Sequence, residues 1–240
     1  MDLKTVSNGI RKVLPLKYCG AVIVAAGNAS RMGGIDKVMA ELGGEPMILR
    51  TVRTFQTCEA IREIVIVTRE DLIVPMMGLC SGFDKVKAVV AGGKDRPESV
   101  RKGLQALSCQ VKLVAVQDGA RPLITHEVID RTVRAAHSYG AAAPAIPVKD
   151  TIKIVSGGVV SSTPERKTLQ AVQTPQVFDS DLLKGALKKA MEEEAEITDD
   201  CSAVERLGMR VKIVEGDERN IKVTTPLDLA IAKLLLEEMK

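Results

Sequence analysis

The chain has 240 residues, 45% of them hydrophobic and 27% charged, enough length and apolar material for one large α/β unit with a substantial core. A net charge of +3 from scattered basic residues leaves no footprint for nucleic acid, and two Tyr, three Phe and no Trp supply no stacking platform for bases. No apolar stretch is long enough for a membrane span or a signal segment, and five cysteines (19, 58, 80, 109, 201) show no metal-ligand spacing, so a reduced, cytoplasmic protein is expected.

In chain order, Leu3, Val6, Ile10 and Val13 have helical spacing, which predicts a short amphipathic helix within an N-terminal extension of about 1–17. Ala21-Val22-Ile23-Val24 reads as a buried strand. It feeds directly into Ala25-Ala26-Gly27-Asn28-Ala29-Ser30-Arg31-Met32-Gly33-Gly34, followed by Asp36-Lys37. Small residues packed this densely let backbone N–H groups approach an anion, and Arg31 and Lys37 add the cations a polyphosphate needs. Neither a Walker A pattern nor a G-x-G-x-x-G fingerprint can be drawn through these glycines. An ordinary strand-to-helix turn would also use them, but the two cations favour nucleotide phosphates.

Pro46-Met47-Ile48-Leu49 opens a helix, with Pro in its first turn. Strands follow at Ile64-Val65-Ile66-Val67 and Val86-Lys87-Ala88-Val89-Val90. Val100, Leu104 and Leu107 have helical spacing, and Leu113-Val114-Ala115-Val116 is the next strand. Thr125 is placed to cap a helix carrying Val128, Ile129 and Val133, before a strand from Ala141 to Ile146. Short β-branched runs alternating with helices predict a parallel, doubly wound sheet, which binds ligands beyond the carboxyl ends of its strands. The first loop and Asp118-Gly119-Ala120-Arg121-Pro122 both fall at such ends, which points to one site. Asp118 there suits a Mg²⁺ ligand or a turn cap.

The rhythm breaks after Val148. Thr151 to Val155 and Val159-Val160-Ser161 flank Ser156-Gly157-Gly158, a hairpin signal, with too few large apolar residues for a separate domain. Helices resume near 179–193 and 199–207, with Thr198 as a candidate cap. A strand at Val211 to Val214 precedes a final helix from Pro226, which is expected to bury Leu227, Leu229, Ile231, Leu234 and Leu235. His126 and His137 lack metal-like partners and read as structural, and Glu192-Glu193-Glu194 as a solvated helix end.

The first loop is accompanied, in order, by Gly92-Gly93-Lys94-Asp95-Arg96-Pro97-Glu98-Ser99-Val100, Asp118-Gly119-Ala120-Arg121-Pro122, Pro147-Val148-Lys149-Asp150-Thr151-Ile152-Lys153, Gln173-Thr174-Pro175-Gln176 and Asn220-Ile221-Lys222-Val223-Thr224. From about Cys19 to the C-terminus this set resembles the 2-C-methyl-D-erythritol 4-phosphate cytidylyltransferase family of the non-mevalonate isoprenoid pathway. The resemblance implies a Rossmann-like, mainly parallel α/β sheet of the nucleotide-diphospho-sugar transferase type, forming one domain with a protruding β-arm at about 148–176. In the family that arm crosses to the second subunit of a homodimer. A surface hairpin within one chain is the plainer alternative.

The implied reaction joins CTP to a sugar-alcohol phosphate with Mg²⁺. An acceptor that is already an anionic phosphate requires no general base, so positioning and charge neutralisation dominate. The resemblance makes Arg31, Lys37, Arg166 and Lys222 catalytic. Arg31 and Lys37 would stabilise charge on the α-phosphate and pyrophosphate, while Arg166 and Lys222 would place the acceptor phosphate. Ala25, Ala26, Gly27, Asn28, Gly92, Gly93, Arg96 and Ser99 would hold the nucleotide, with Ser99 either on the base edge or simply in a helix's first turn. Asp150, Thr151, Thr174 and Thr198 would surround the acceptor, Arg121 would brace its loop or the substrate, and Asp118 would bind the metal. Departures from the family pattern are Asn28-Ala29-Ser30 for a frequent Gly-Arg pair, Lys94 for an acidic residue and Gln117 for a frequent His. A D-ribitol 5-phosphate cytidylyltransferase is the nearest alternative, and a non-catalytic nucleotide-binding homologue is a more distant one. A molybdopterin guanylyltransferase would leave the arm and the Asn220-Ile221-Lys222 segment unexplained.

Overall fold

The computed structural model describes residues 18–27 and 38–239, so the expected N-terminal helix and most of the first loop lie outside the described residues. In chain order the elements are β1 (Cys19–Ala25), β2 (Glu41–Leu42), β3 (Glu45–Pro46), α1 (Met47–Thr57), β4 (Ile61–Thr68), α2 (Ile73–Leu79), β5 (Val86–Ala91), α3 (Arg96–Ala106), β6 (Leu113–Asp118) and α4 (His126–Tyr139). They continue with β7 (Ala141–Pro147), β8 (Ile154–Ser156), β9 (Val159–Ser162), β10 (Gln170–Val172), β11 (Gln176–Asp179), α5 (Ser180–Glu192), α6 (Asp200–Glu205), β12 (Lys212–Glu215) and α7 (Pro226–Glu238).

Strand β1 is apolar on both faces because it is covered on both. Its Ala21, Ile23 and Ala25 meet α1 and α4 through Ile48, Val52, Ile129 and Val133, while Val22 faces α3 and α5 through Val100, Leu104, Leu183 and Leu187. It pairs in parallel with β4 and β6, and β4 pairs in parallel with β5, as the alternating pattern predicts. The departure comes at β11. This strand runs antiparallel between β6 and β7 in the eight-stranded sheet, and β10 continues along the same edge of β7. Strand β12 takes the other edge of β7, in parallel.

The segment between β7 and β10 projects as a hairpin. Gly157 (φ 57°) and Gly158 (φ 80°) join β8 to β9, the paired left-handed conformation that a two-residue turn of the favoured twist requires. Every residue of both strands is exposed, so no core lies beneath it. At its root, Gln170 pairs with Pro147.

Three local expectations change. Helix α7 buries Ala232 and packs Leu229, Leu235 and Leu236 on Leu42, Met47 and Val223, but Leu227 (69%), Ile231 (39%) and Leu234 (64%) are exposed. The helix is apolar around most of its girth, and only one face meets the body. Thr125 holds the N-cap position of α4, yet its hydroxyl bonds the Glu127 side chain rather than capping a backbone N–H. Pro46 precedes α1 and pairs in β3 instead of entering the first turn.

Phe178 of β11 is fully buried where that strand crosses between β6 and β7. Phe178→Ala is expected to lower the unfolding free energy by about 3–5 kcal/mol in urea titration. Thr225 and Asp228 form a reciprocal capping box on α7, and Thr225→Ala is expected to cost about 1 kcal/mol in the same measurement.

Candidate active site

The parallel neighbours β1 and β6 end side by side, and Gly119 N–H donates to Val24 O at 2.9 Å, which sets the Asp118 turn against the Ala25-Ala26 turn. A third wall is the N-terminus of α3. Gly92 N–H donates to Thr68 O at 2.7 Å, and a Cβ at Gly92 would stand 2.4 Å from that of Ala26, so glycine alone lets the two loops meet. Asp95 caps α3 by accepting from Glu98 N–H at 2.8 Å. The helix thus presents its positive end to the cleft. Ser99 accepts from Gly93 N–H at 3.0 Å and donates to Asp95 O at 2.8 Å, so its hydroxyl braces this loop from the first turn of the helix.

These walls enclose a cleft of about 280 Å³ lined by Ala25, Ala26, Gly27, Gly93, Arg96, Ser99, Asp118 and Lys222. Asp118 is the electrostatic centre. Its Oδ2 lies 2.8 Å from Lys222 Nζ and 3.8 Å from Arg121 Nε, and its Oδ1 lies 3.6 Å from Arg96 Nη2. Burial by itself would raise the Asp118 pKa; Lys222, Arg96 and Arg121 more than offset it and hold the carboxyl below the usual aspartate range. Arg96 extends its other nitrogen, Nη1, to Asp200 at 2.7 Å. Burial opposes the charge on Arg96, but Asp200 and Asp118 together raise its pKa above the ordinary arginine value.

The Gln173-Thr174-Pro175-Gln176 segment, between β10 and β11, holds these charged parts together. Thr174 Oγ accepts from Asp118 N–H at 3.1 Å. Gln173 spans the Asp217 backbone, donating to its carbonyl at 2.8 Å and accepting from its N–H at 3.2 Å. Asn220, fully buried, donates to Thr174 O at 3.0 Å and to Gln173 Oε1 at 3.3 Å. Gln176 donates to Asp199 Oδ2 at 2.6 Å and accepts from Cys201 N–H at 3.1 Å, which seats the first turn of α6. Arg121 Nη1 donates to Asn220 O at 2.6 Å, and Val223 N–H donates to Ala120 O at 2.8 Å, which brings Lys222 over Asp118.

Of the expected site residues, Arg121 and Thr174 therefore sit behind the cleft and brace it. Thr198 is exposed and does not cap α6; Asp199 does, in a capping box with Ser202, because its carboxylate reaches Ser202 N–H at 2.8 Å. Asp150 and Thr151 are exposed at the root of the projecting segment. Arg166 lies within that segment, donating to Lys149 O at 2.9 Å, and none of these three lines the cleft. Asn28, Arg31 and Lys37 lie outside the described residues. Asp200, Asn220, Gln173 and Gln176 were not singled out as positioning groups. The signal for Asp200 was the Asp199-Asp200 doublet at a helix start, where one carboxylate suffices for the cap. His126 bonds Thr57 Oγ at 2.9 Å and Thr54 O at 3.0 Å, in keeping with a structural role.

A profile of the family described as 2-C-methyl-D-erythritol 4-phosphate cytidylyltransferase matches residues 19–238. The chain belongs to this family. Among curated relatives with that name, the protein of Caldanaerobacter subterraneus subsp. tengcongensis is 43% identical over 91% of this chain and 98% of its own length. That of Geobacillus kaustophilus is 45% identical over 90% and 96%. A crystal structure of 4-diphosphocytidyl-2C-methyl-D-erythritol synthase from Anaerococcus prevotii superposes with a TM-score of 0.84 at 32% identity, covering 92% of this chain and 96% of that one. The Thermus thermophilus 2-C-methyl-D-erythritol 4-phosphate cytidylyltransferase gives 0.78 at 31% identity, covering 92% and 99%. The mixed sheet with helices on both faces is thus the family's fold. Among the described residues no helix is long and apolar enough to cross a membrane.

Because the folded state depresses the Asp118 pKa, its charge stabilises the fold above the unfolded value of about 4, and that contribution is lost as pH falls through the lower folded value. Asp118→Asn leaves Lys222 and Arg121 without their counter-charge. It is expected to cost about 3 kcal/mol at pH 7. The difference from the unaltered chain should shrink in urea titrations at pH 3 and below.

Proposed function

We propose that this protein transfers CMP from CTP to 2-C-methyl-D-erythritol 4-phosphate, giving 4-diphosphocytidyl-2-C-methyl-D-erythritol and pyrophosphate in the non-mevalonate isoprenoid pathway. Family membership supports the reaction. The observation that carries it on this chain is the cleft itself, where Lys222, Arg96 and Arg121 converge on one buried carboxylate in front of a helix N-terminus. Lys94, Arg96 and Lys222 line the cleft with Asp95 and Asp118, so among the described residues its lining carries one more cation than carboxylate. Such a wall suits a triphosphate and disfavours a neutral ligand.

In this reading an oxygen of the acceptor phosphate attacks the α-phosphorus of CTP, the bond to the β-phosphate oxygen breaks, and pyrophosphate leaves. No proton has to be removed from the nucleophile. Lys222 is half exposed and keeps donors free of Asp118 to orient the acceptor phosphate, with Arg166 as its second cation. Arg31 and Lys37 stabilise charge on the α-phosphate and the leaving pyrophosphate. Backbone groups at Ala25, Ala26, Gly27, Asn28, Gly92 and Gly93 hold the nucleotide, with Ser99 bracing them. Asp150, Thr151 and Thr198 stand on the acceptor side.

Asp118 fits a Mg²⁺ ion that arrives on triphosphate oxygens and keeps several waters. Among the described residues no group of three His, Cys, Asp or Glu forms an all-protein cage, and Mg²⁺ on phosphates needs only one or two carboxylates. Bound there, the ion would neutralise charge on the phosphates.

The chain is read as one cytoplasmic nucleotidyltransferase domain with an N-terminal extension at about 1–17 and an arm at about 148–176. The arm's exposed Val155, Val159 and Val160, and a cleft whose described lining does not include Arg166, support an arm that completes the site of a partner in a homodimer.

Pyrophosphate release with Mg²⁺ and CTP is expected with 2-C-methyl-D-erythritol 4-phosphate and not with D-ribitol 5-phosphate. The reverse preference would keep the chemistry and replace the acceptor. Lys222→Ala should lower kcat/KM by about 10²–10³-fold with folding intact, and near-normal turnover would overturn its role. Hybrid dimers of Arg166→Ala and Lys37→Ala subunits should recover activity that neither parent shows; verified heterodimers without recovery would mean that each site is built within one chain.

A further inference from the structure

Asp200 is a carboxylate with 1% of its side chain exposed, placed in the interior beside the cleft. Burying such a group costs several kcal/mol unless it is well paired, so its presence calls for a reason. Capping is not that reason, because Asp199 already caps α6 with its own carboxylate. The ion pair of Asp200 is with Arg96, Oδ2 to Nη1 at 2.7 Å. The same guanidinium points its other terminal nitrogen at Asp118, but at 3.6 Å. One planar fork thus lies between two carboxylates and is drawn to the one that does not line the cleft.

We propose that Asp200 is a positioning residue for nucleotide binding: it anchors Arg96 from behind, so that the guanidinium faces the cleft and meets Asp118 with one nitrogen only, at 3.6 Å. With Asp200 uncharged, the nearest carboxylate to Arg96 would be Asp118, and the fork would turn to take both of its oxygens. The cleft would then lose a cation that faces the nucleotide. The brace extends one step further, since Gln176 fixes Asp199 and Cys201 on either side of Asp200. Asp200 therefore reaches Arg96 from a turn whose backbone is itself held. Its environment is mixed: burial raises the Asp200 pKa, Asp118 and Asp199 add to that, and Arg96 opposes it without prevailing.

The inference rests on the CTP reading, and its test separates the two. CTP binding to the full-length protein is measured by calorimetry, with CTP turnover alongside, for the unaltered chain and for Asp200→Asn, which keeps the shape and removes the charge. The expected result is a CTP dissociation constant and KM raised about tenfold, with kcat changed much less, the size of one charged hydrogen bond lost. In an Arg96→Ala background, Asp200→Asn should weaken CTP no further, because its effect passes through Arg96. Unchanged CTP affinity in Asp200→Asn, or losses that multiply fully across the double variant, would overturn the assignment. If Asp200→Asn does not fold, Arg96→Lys carries the test. An ammonium cannot bridge two carboxylates as a guanidinium does, so the same weakening of CTP is expected, and native affinity would overturn it. An unaltered chain that binds no CTP would overturn both this inference and the nucleotide reading.

Discussion

Four residues between β10 and β11, Gln173 to Gln176, carry the charged wall of the cleft. Thr174 fixes the backbone of Asp118, Gln173 and the carbonyl of Thr174 fix Asn220 two residues before Lys222, and Gln176 fixes the turn that bears Asp200. Arg96, Arg121 and Lys222 repel one another, and Asp118 and Asp200 offset only part of that repulsion. Amide and hydroxyl groups, most of them buried, help Asp118 and Asp200 hold them at the required separations. The charges are thus set by uncharged side chains as well as by their own ion pairs.

This arrangement explains why β11 runs antiparallel between two mutually parallel strands. A crossover feeding β11 in parallel would deliver the Gln173–Gln176 segment to the opposite end of β6, far from Asp118. Entering antiparallel, the chain passes the carboxyl end of β6 just before it pairs, and Gln176 opposite Val116 leaves Thr174 level with the Asp118 N–H. The local reversal of the sheet and the shape of the cleft are one constraint seen twice.

Much of this was legible in the sequence where the signal is local. The run Ala21 to Val24 is apolar because both faces of β1 are covered, the Gly157-Gly158 turn needs left-handed backbone, and Asp118 stands at a strand end next to small residues. Signals that depend on distant partners were not legible. Val177-Phe178 is too short to announce which strands it separates, and nothing local marks Lys222 as the neighbour of Asp118. Thr198, Asp199 and Asp200 are three adjacent polar residues at a helix start. Only packing shows that the first is exposed, the second caps and the third reaches inward to Arg96. Helix α7 misled for the opposite reason, since its leucines surround the axis and hydropathy alone cannot say which face meets Leu42 and Val223.

The pairing of Gln170 with Pro147 has a consequence for how this architecture varies. Both ends of the projecting segment are stitched to each other at its root, so loop closure is complete before the hairpin begins. Lengthening or shortening the projection adds or removes only chain beyond that stitch, at an entropic cost that grows slowly with length. The body of the protein is therefore insulated from the reach of its appendage. The hairpin tip can vary in length, while the braces around Asp118 tolerate no comparable freedom.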